Sequence, residues 1–229
     1  VPQSMVEQQA EQILNDTYYR LVPKRFTYLY PNDTLVAVLE RTDRIKEVRI
    51  EKTGRQELTI AFTEYVPHAL WCDSLEAEEC LFLDRFGHAF TEAPSLTGNT
   101  FVRYIGHHES LAKGQIAFPR TFMEETELLV ELLEQEAELY VTHIEQAEEQ
   151  DLNVYLAGGG MLKLTLNAPL EETLANLLTI LESEEFAHLE PGNFKYIDLR
   201  FGNRVYVNEE VDSMIGSSTA TSTPEAIAE

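Results

Sequence analysis

The sequence is short of three things: long apolar runs, cysteine and positive charge. No stretch of its 229 residues reaches the roughly 18 consecutive apolar residues that a membrane-spanning helix needs. There are only two cysteines and no C-x-x-C pattern, so a zinc ribbon or a dithiol redox motif is excluded. Lys and Arg number 17 against 40 Asp and Glu, a formal net charge of −23. Such an acidic chain repels nucleic acid and anionic lipid, and neither is an expected partner.

The acidity is concentrated in one part of the chain. Residues 1–70 hold 9 basic and 10 acidic residues, whereas the remainder holds 8 and 30. A hydrophobic content of 44% is normal for a globular protein with a real core. Because the sequence starts at Val1 without a signal segment, we expect it to be part of a longer protein.

The two cysteines lie at the facing ends of two strand patterns. Cys72 ends one pattern, Cys80 starts the next, and the seven residues between them are acidic and turn-like. The two side chains can therefore face each other across a hairpin. We predict a disulfide if the domain lies outside the cytoplasm, and two unpaired thiols otherwise.

The first third of the chain predicts two helices followed by two strands. The first helix spans Ser4–Asn15 and carries a capping-box spacing between Ser4 and Glu7. Residues 17–30 are a connector with a short extended piece, and a second helix starts at residues 31–34. Two strands with alternating apolar residues follow, and a turn at residues 53–56 joins them.

The rest of the chain predicts strands around two amphipathic helices. Its helices are 121–139, with a capping box formed by Thr121 and Glu124, and 170–182, with five leucines on one face. The predicted strands cover residues 140–144, 153–157 and 162–166 and the two patterns either side of Gly202-Asn203. Ile197, Leu199 and Phe201 alternate with polar residues and predict one buried strand face. The segment from Val211 onward predicts disorder.

No motif in the sequence predicts catalysis, a metal site or a cofactor. Gly158-Gly159-Gly160 lacks the Lys-Ser/Thr of a phosphate loop and lies where a hairpin turn is expected. His107 and His108 are adjacent and would point to opposite faces of a strand. The glutamates of residues 124–138 fall on the outward arc of a helix and predict a solvated face.

Three short motifs resemble the FtsQ/DivIB family of bacterial cell-division proteins. Glu64–Trp71 resembles the family's E-R-x-P-x-A-x-W junction, with Tyr65 where Arg is usual. Cys80–Phe90, with Gly87 at its turn, resembles the following hairpin, and residues 91–94 continue it. Tyr196–Phe201 resembles the closing Y-[IV]-D-L-R-[FY] strand. The predicted elements around these motifs, a POTRA-like start followed by β-hairpin, helix, meander, helix and final strands, resemble the family's arrangement over roughly residues 1–208.

The resemblance implies an α+β fold in two parts. Residues 1–66 would form a POTRA module lacking its first strand, and residues 67–208 a mixed or antiparallel β-sheet domain flanked by two helices. Residues 209–229 would be a disordered tail. A single membrane helix would precede Val1, which places this region outside the cytoplasmic membrane at the division septum.

The resemblance also implies a function without catalysis. The family's β domain binds FtsB/DivIC-type and FtsL-type membrane proteins and connects them to the septal peptidoglycan synthase, with no cofactor and no small-molecule substrate. Carried over by position, the partner-binding residues are Arg200, Phe201, Gly202, Asn203, Arg204, Val205, Tyr206 and Val207.

Within that set, three contacts are expected from the chemistry of the residues. Arg200 would pair with a partner carboxylate or, alternatively, with Asp198 inside the chain. Phe201 would be an apolar anchor or part of the core. The edge 203–207 would pair with a partner strand.

Two other functions are weighed against this one. A POTRA-containing transport or assembly component of the cell envelope would explain the first 66 residues, although neither POTRA repeats nor long barrel strands occur in the sequence. An extracytoplasmic glycosidase would use two of the many carboxylates.

Overall fold

The computed structural model describes residues 1–20, 22–24, 30–54, 57–96, 98–106, 111–148, 150–186 and 188–209. The predictions for His107, for His108 and for the C-terminal tail after residue 209 lie outside these residues.

The N-terminal module consists of two helices packed on a two-stranded sheet. Helices α1 (Gln3–Leu14) and α2 (Asn32–Leu39) are separated by a short hairpin, β1 (Thr17–Tyr18) and β2 (Val22–Pro23). Strands β3 (Ile45–Lys52) and β4 (Leu58–Glu64) then pair antiparallel. One hydrophobic cluster, built on Val6, Leu39, Ile45 and Val48, joins the helices to the sheet. The order helix, helix, strand, strand is the predicted one.

A second unit is built on a nine-stranded mixed sheet. Its strands are β5 (Ala69–Cys72), β6 (Cys80–Leu83), β7 (Ala89–Glu92), β8 (Arg103–Ile105), β9 (Val141–Gln146), β10 (Asp151–Leu156), β11 (Met161–Thr165), β12 (Tyr196–Phe201) and β13 (Arg204–Asn208). Their spatial order is β13-β12-β11-β10-β9-β8-β5-β6-β7. The pairs β5–β8, β8–β9 and β11–β12 are parallel, and the other five are antiparallel. Strands β7 and β13 are therefore the two edges of this sheet.

Two long helices share the main core of this unit with the sheet. They are α3 (Arg120–Glu136) and α4 (Leu170–Leu181). Leu133 of α3 and Leu177 of α4 are each 1% exposed and belong to the same core as Ile144, Val154 and Leu162 of the sheet. The predicted α+β class, with helices flanking a mixed sheet, is confirmed. We call the face of the sheet that turns away from this core the open face.

The predicted capping boxes are wrong at both helices. The residues that cap α1 and α3 are Pro2 and Pro119, and neither helix start has a side-chain hydrogen bond to its cap. Each proline lies in extended backbone just before the helix, so Ser4 and Thr121 fall inside the first turn rather than at its boundary. Proline fixes the start because its ring clashes with a preceding helical turn.

Strand β8 was not predicted. It has only three residues, and its sequence, Arg-Tyr-Ile, shows too little alternation to stand out. Its place is fixed from both sides, because it pairs in parallel with β5 and β9. Tyr104 in its centre is 3% exposed and bonds through its hydroxyl to Thr126 of α3, 2.9 Å away. Burial raises the pKa of Tyr104 to about 12.

Cys72 and Cys80 form a disulfide that closes the β5–β6 hairpin. The two residues are register partners, and the S–S distance is 2.05 Å. Leu70 packs beside them in a small hydrophobic cluster, to which Phe82 and Phe101 add their rings.

The main chain of the β10–β11 turn packs directly on the main chain around Gly192. Gly158, Gly159 and Gly160 all have positive φ, which glycine adopts without strain. The Gly192 amide donates to the Gly159 carbonyl over 3.1 Å. A Cβ on Gly160 would lie 2.7 Å from the ring of Phe194, so no side chain fits there. The triglycine segment is a hairpin turn, as predicted.

Among the described residues, no helix combines the length and the apolar character needed to cross a membrane.

Candidate partner-binding edge

The β12–β13 hairpin forms one edge of the nine-stranded sheet. Gly202 and Asn203 make its turn, and Gly202 has φ +63, a conformation that favours glycine. The Asn176 side chain of α4 donates to the Gly202 carbonyl over 3.0 Å. Strand β12 is anchored on its inner side, where it pairs in parallel with β11. The hairpin is therefore a supported structure, and within the described ranges its outer strand, β13, pairs with another strand on one side only.

Arg200 is held by two carboxylates of its own chain. Its Nε and Nη2 donate to Asp198 over 2.9 and 2.8 Å, and its Nη1 donates to Asp151 over 2.8 Å. Asp151 lies on β10, so the arginine side chain reaches across β11 on the open face. The alternative in which Arg200 pairs inside the chain is the one seen in the structure.

These contacts change the acidity of both partners. Burial alone would raise the pKa of Asp198, but the hydrogen bonds from Arg200 and the nearby charge of Lys163 hold it below its ordinary value. Hydrogen bonds to Asp198 and Asp151 raise the pKa of Arg200 above its usual range. Asp198 and Arg200 are therefore both charged at neutral pH, and the positive charge of Arg200 is already paired inside the chain.

Phe201 is exposed, which corrects the predicted alternation. The pairing register shifts between Asp198 and Phe201, as it does at a β-bulge. An irregularity of this kind interrupts the alternation of side chains between the two faces of the strand. Phe201 therefore does not lie on the buried face that holds Ile197 and Leu199. The residue is 54% exposed, and its ring meets that of Tyr206 edge to face, with centroids 5.5 Å apart.

The remaining predicted residues divide between two faces of β13. Val205 and Val207 are half-buried and pack against the main core. Arg204 and Tyr206 are exposed, and Arg204 makes no ion pair with any described residue. Asn203 is exposed in the turn. The structure thus brings Phe201, Arg204 and Tyr206 together at the surface of the hairpin.

Near the hairpin, the open face carries a cluster of polar side chains that are hydrogen-bonded to one another. The Tyr155 hydroxyl and the Asn153 amide both donate to Glu145, over 2.8 and 2.9 Å. Burial and the bond to Glu145 raise the pKa of Tyr155. Burial, with the charge of Arg103, lowers the pKa of His143. Among the described residues, no three His, Cys, Asp or Glu side chains are grouped as metal ligands would be.

Asp151 is the residue of this site that sequence reasoning missed. It lies 49 residues from Arg200, and no motif connects the two positions. Only the strand order brings them together, because β10 and β12 are both neighbours of β11. An acidic residue at the start of a strand carries no signal for this role.

No protein-family model matches the chain, and the search of curated proteins finds no match either.

Proposed function

We propose that this chain is the extracytoplasmic part of an FtsQ/DivIB-type cell-division scaffold. In this role it binds an FtsB/DivIC-type partner by adding a partner strand to β13. Through that partner and an FtsL-type protein it acts on the septal peptidoglycan synthase. The observation that carries the proposal is that, among the described residues, no strand pairs with the outer side of residues 204–207, which the exposed pair Phe201 and Tyr206 flanks.

Main-chain pairing is the main source of affinity in this proposal. An edge strand presents N–H and C=O groups that a second strand can satisfy. Among the described residues, no strand lies on the outer side of β13. Phe201 and Tyr206 add apolar area beside that edge, and aromatic residues are enriched at interface hot spots.

The charge contact with the partner falls to Arg204 rather than Arg200. Arg200 already serves two carboxylates, so a third would compete for the same guanidinium. Arg204 is exposed at the start of β13 and is available to a partner carboxylate. Its charge counts for more because the chain as a whole carries −23.

The disulfide supports an extracytoplasmic location. Disulfides persist in oxidising compartments and are rare in the cytosol. The bond between Cys72 and Cys80 therefore suits a domain on the outer side of the cytoplasmic membrane.

The test is a binding titration with the extracytoplasmic segment of the FtsB-type protein from the same genome. Tyr206→Pro removes a main-chain donor from β13 and should weaken binding about tenfold or more. Tyr206→Ala is the matched control, because it removes the ring but keeps the donor, and its loss should be smaller. The double change of Phe201 and Tyr206 to serine measures the contribution of the aromatic pair.

Each variant is first shown to be folded by its melting temperature. If folded Tyr206→Pro and the double serine variant both bind like the parent, β13 is not the interface. If no FtsB-type segment binds the parent chain at all, the family assignment itself is wrong.

A further inference from the structure

The N-terminal module and the second unit have separate hydrophobic cores. Among the described residues, the cluster that contains Leu39 and the cluster that contains Ile144 share no member. A connector of four residues, Tyr65 to His68, joins β4 to β5. Two units of one chain normally move relative to each other unless a large apolar interface holds them. The contacts around the connector therefore decide whether the two units keep one orientation.

Tyr65 of the connector stacks on two rings of the second unit. Its ring centroid lies 4.8 Å from that of His88 and 5.0 Å from that of Phe90, with interplanar angles of 18° and 14°. His88 directly precedes β7, and Phe90 is the second residue of β7, so the two side chains point to the same face. Phe90 is 5% exposed, and Tyr65 is half-buried. The stack ties the end of β4 to the edge strand β7.

Tyr65 is also held from the side of the N-terminal module. Its main-chain N–H donates to the carbonyl of Arg44, which directly precedes β3, over 2.8 Å. Burial, followed by the charges of Asp84 and Glu40, raises the pKa of its hydroxyl. Asp84 belongs to the second unit and Glu40 to the module, so carboxylates of both units act on this hydroxyl. One residue is therefore fixed by the main chain of one unit and by the rings of the other.

Two lysines make ion pairs between the units. Lys46 Nζ is 3.7 Å from the Asp84 carboxylate, and Lys113 Nζ is 3.4 Å from the Asp43 carboxylate. The two lysine side chains are 44% and 40% exposed, and solvent-exposed pairs of this kind contribute little. Salt weakens them further, whereas stacked rings depend mainly on apolar contact and ring geometry.

The contact made by Lys46 is weakened by like charges. Its Nζ lies 5.4 Å from the ring centroid of Tyr65 and 5.1 Å from that of Phe86 in the β6–β7 turn. Arg120 and Arg85 approach the Phe86 ring as well, with Cζ at 5.0 and 6.0 Å from its centroid. The three cations repel one another, which limits what Lys46 adds between the units. Of these contacts, the Tyr65 stack is the one that neither screening nor repulsion weakens.

We infer that Tyr65 is a lock between the two units. With its ring stacked on His88 and Phe90, the N-terminal module and the second unit move as one body. Without the ring, the connector and the screened lysine pairs still join the units, but they no longer fix the orientation. Because β13 belongs to the second unit, the lock also fixes the position of β13 relative to Val1. The inference does not rest on the proposed function.

The test measures the motion of each unit by NMR on the isotope-labelled full chain. Residual dipolar couplings give an alignment tensor for each unit, and amide relaxation gives its rotational correlation time. In the parent, the two units should share one tensor and one correlation time. In Tyr65→Ser, the tensors should differ, and the correlation time of the smaller N-terminal module should fall by about a third or more, since a smaller body tumbles faster.

Three further variants separate the ring from other effects of the change. Tyr65→Phe keeps the ring and should behave like the parent. Tyr140→Ser is the matched control, because Tyr140 is a 60% exposed tyrosine of the second unit that lies outside the stack, and it should also behave like the parent. His88→Ala removes one of the two stacking partners and should loosen the joint to a smaller extent. It tests the lock even where Tyr65→Ser does not fold.

A double change tests the lysine pairs. Lys46→Gln combined with Lys113→Gln removes both charges and should leave the two units with one shared tensor. Sodium chloride at about 1 M, where the screening length is about 3 Å, should likewise leave the parent locked. Both results are expected because the ring stack does not depend on charge.

Four results would overturn the inference. The first is a parent whose two units already have different tensors. The second is the parent tensor and correlation time in folded Tyr65→Ser and in His88→Ala, with folding shown by dispersed amide signals from both units. The third is a Tyr65→Phe variant as loose as Tyr65→Ser. The fourth is a parent that loosens in salt, or a double lysine variant as loose as Tyr65→Ser. The binding titration of β13 reports a different part of the molecule, so the two tests fail or succeed separately.

Discussion

The two edge strands of the nine-stranded sheet, β7 and β13, differ in whether another segment of the chain covers them. At β7, the covered edge, the following loop supplies main-chain partners: the Ala89 amide donates to the Gln115 carbonyl over 2.9 Å, and the Gly114 amide donates to the Ala89 carbonyl over 2.8 Å. Lys113 of the same loop reaches Glu92 of β7 at 3.1 Å. At β13, the open edge, no strand among the described residues takes the corresponding place.

The difference concerns the risk that an edge strand pairs with other protein chains. An uncovered edge is a template for pairing with other chains, and proteins normally block it. Among the residues that the structure describes, a loop of this chain covers one edge, and no strand covers the aromatic-flanked strand at the other. The asymmetry fits an edge that is kept for a partner, as in our proposal.

The largest loss of stability is expected from disrupting the core that both halves of the sheet share. Leu177 of α4 is 1% exposed and packs in the core that contains Leu83 and Leu199, one from each half of the sheet. Leu177→Asp should cost more than about 4 kcal/mol, because it buries an unpaired charge, and should unfold the sheet domain. Leu128→Asp is the control, since Leu128 is 46% exposed on α3. A soluble Leu177→Asp variant with the parent melting temperature would contradict this packing.

A matched pair of glycines tests each edge separately. Gly87 and Gly202 both have positive φ in the hairpin turns next to the covered and the open edge. A Cβ at Gly87 would lie 2.2 Å from the Phe118 carbonyl oxygen, whereas nothing lies within 4 Å of one at Gly202. Gly87→Ala should therefore cost about 3 kcal/mol or more and Gly202→Ala about 1–2 kcal/mol. Urea unfolding measures both free-energy losses. Equal losses would show that the turn beside the covered edge is not packed more closely than the turn beside the open edge.

The disulfide should stabilise the covered half of the sheet more than the open half. The bond joins residues eight apart, and a loop this short predicts about 2–3 kcal/mol. Reduction should lower the melting temperature and speed amide exchange in β5 and β6 before β12 and β13. Thiol counting under denaturing, non-reducing conditions checks the bond itself. Two free thiols in protein exported to an oxidising compartment would remove the basis for this prediction.

The smallest effect is an acid-dependent one at the open edge. The pKa of Asp198 is lower in the folded protein than its ordinary value of 3.8. Its bonds to Arg200 therefore stabilise the fold fully above about pH 5, and this contribution is lost as pH falls towards the folded pKa. Asp198→Asn should lose about 1–2 kcal/mol at pH 7 and show a shallower fall in unfolding free energy between pH 5 and pH 2.

The covered edge supplies the control for this acid effect. Glu92→Gln removes an exposed carboxylate paired with Lys113, and exposed pairs contribute little. The variant should follow the parent at every pH. An Asp198→Asn variant that also keeps the parent's pH dependence would show that the Arg200 contacts do not stabilise the fold.

Much of the fold could be predicted because it depends on local patterns. The leucine stripe that includes Leu177 and the alternation in β10 and β11 both reflect burial of one face, and burial is visible as periodicity. Strand β8 was missed because three residues carry no period. The helix starts were misplaced because a capping-box spacing at Ser4 and Thr121 coincided with a proline that fixes the boundary first.

The site was only partly predictable because its contacts are set by strand order. The pair Arg200–Asp198 was visible as an alternative, since the two residues are neighbours on one strand. The pair Arg200–Asp151 was not, because it depends on β11 lying between their strands. The exposure of Phe201 follows from an irregular register, which alternation cannot anticipate. The cations around Phe86 come from three distant segments and share no motif.

The parallel pairing of β11 with β12 also sets the order in which the protein can be completed. Met161 and Tyr196 are register partners 35 residues apart, and α4 must cross the sheet before they meet. Contacts between distant segments form late, since the chain must first lose the entropy of closing the intervening loop. Of the strands that the structure describes, β13 is also the last to be synthesised. A partner that recognises β13 would therefore bind molecules in which the β11–β12 pairing has formed and would not bind incompletely folded chains.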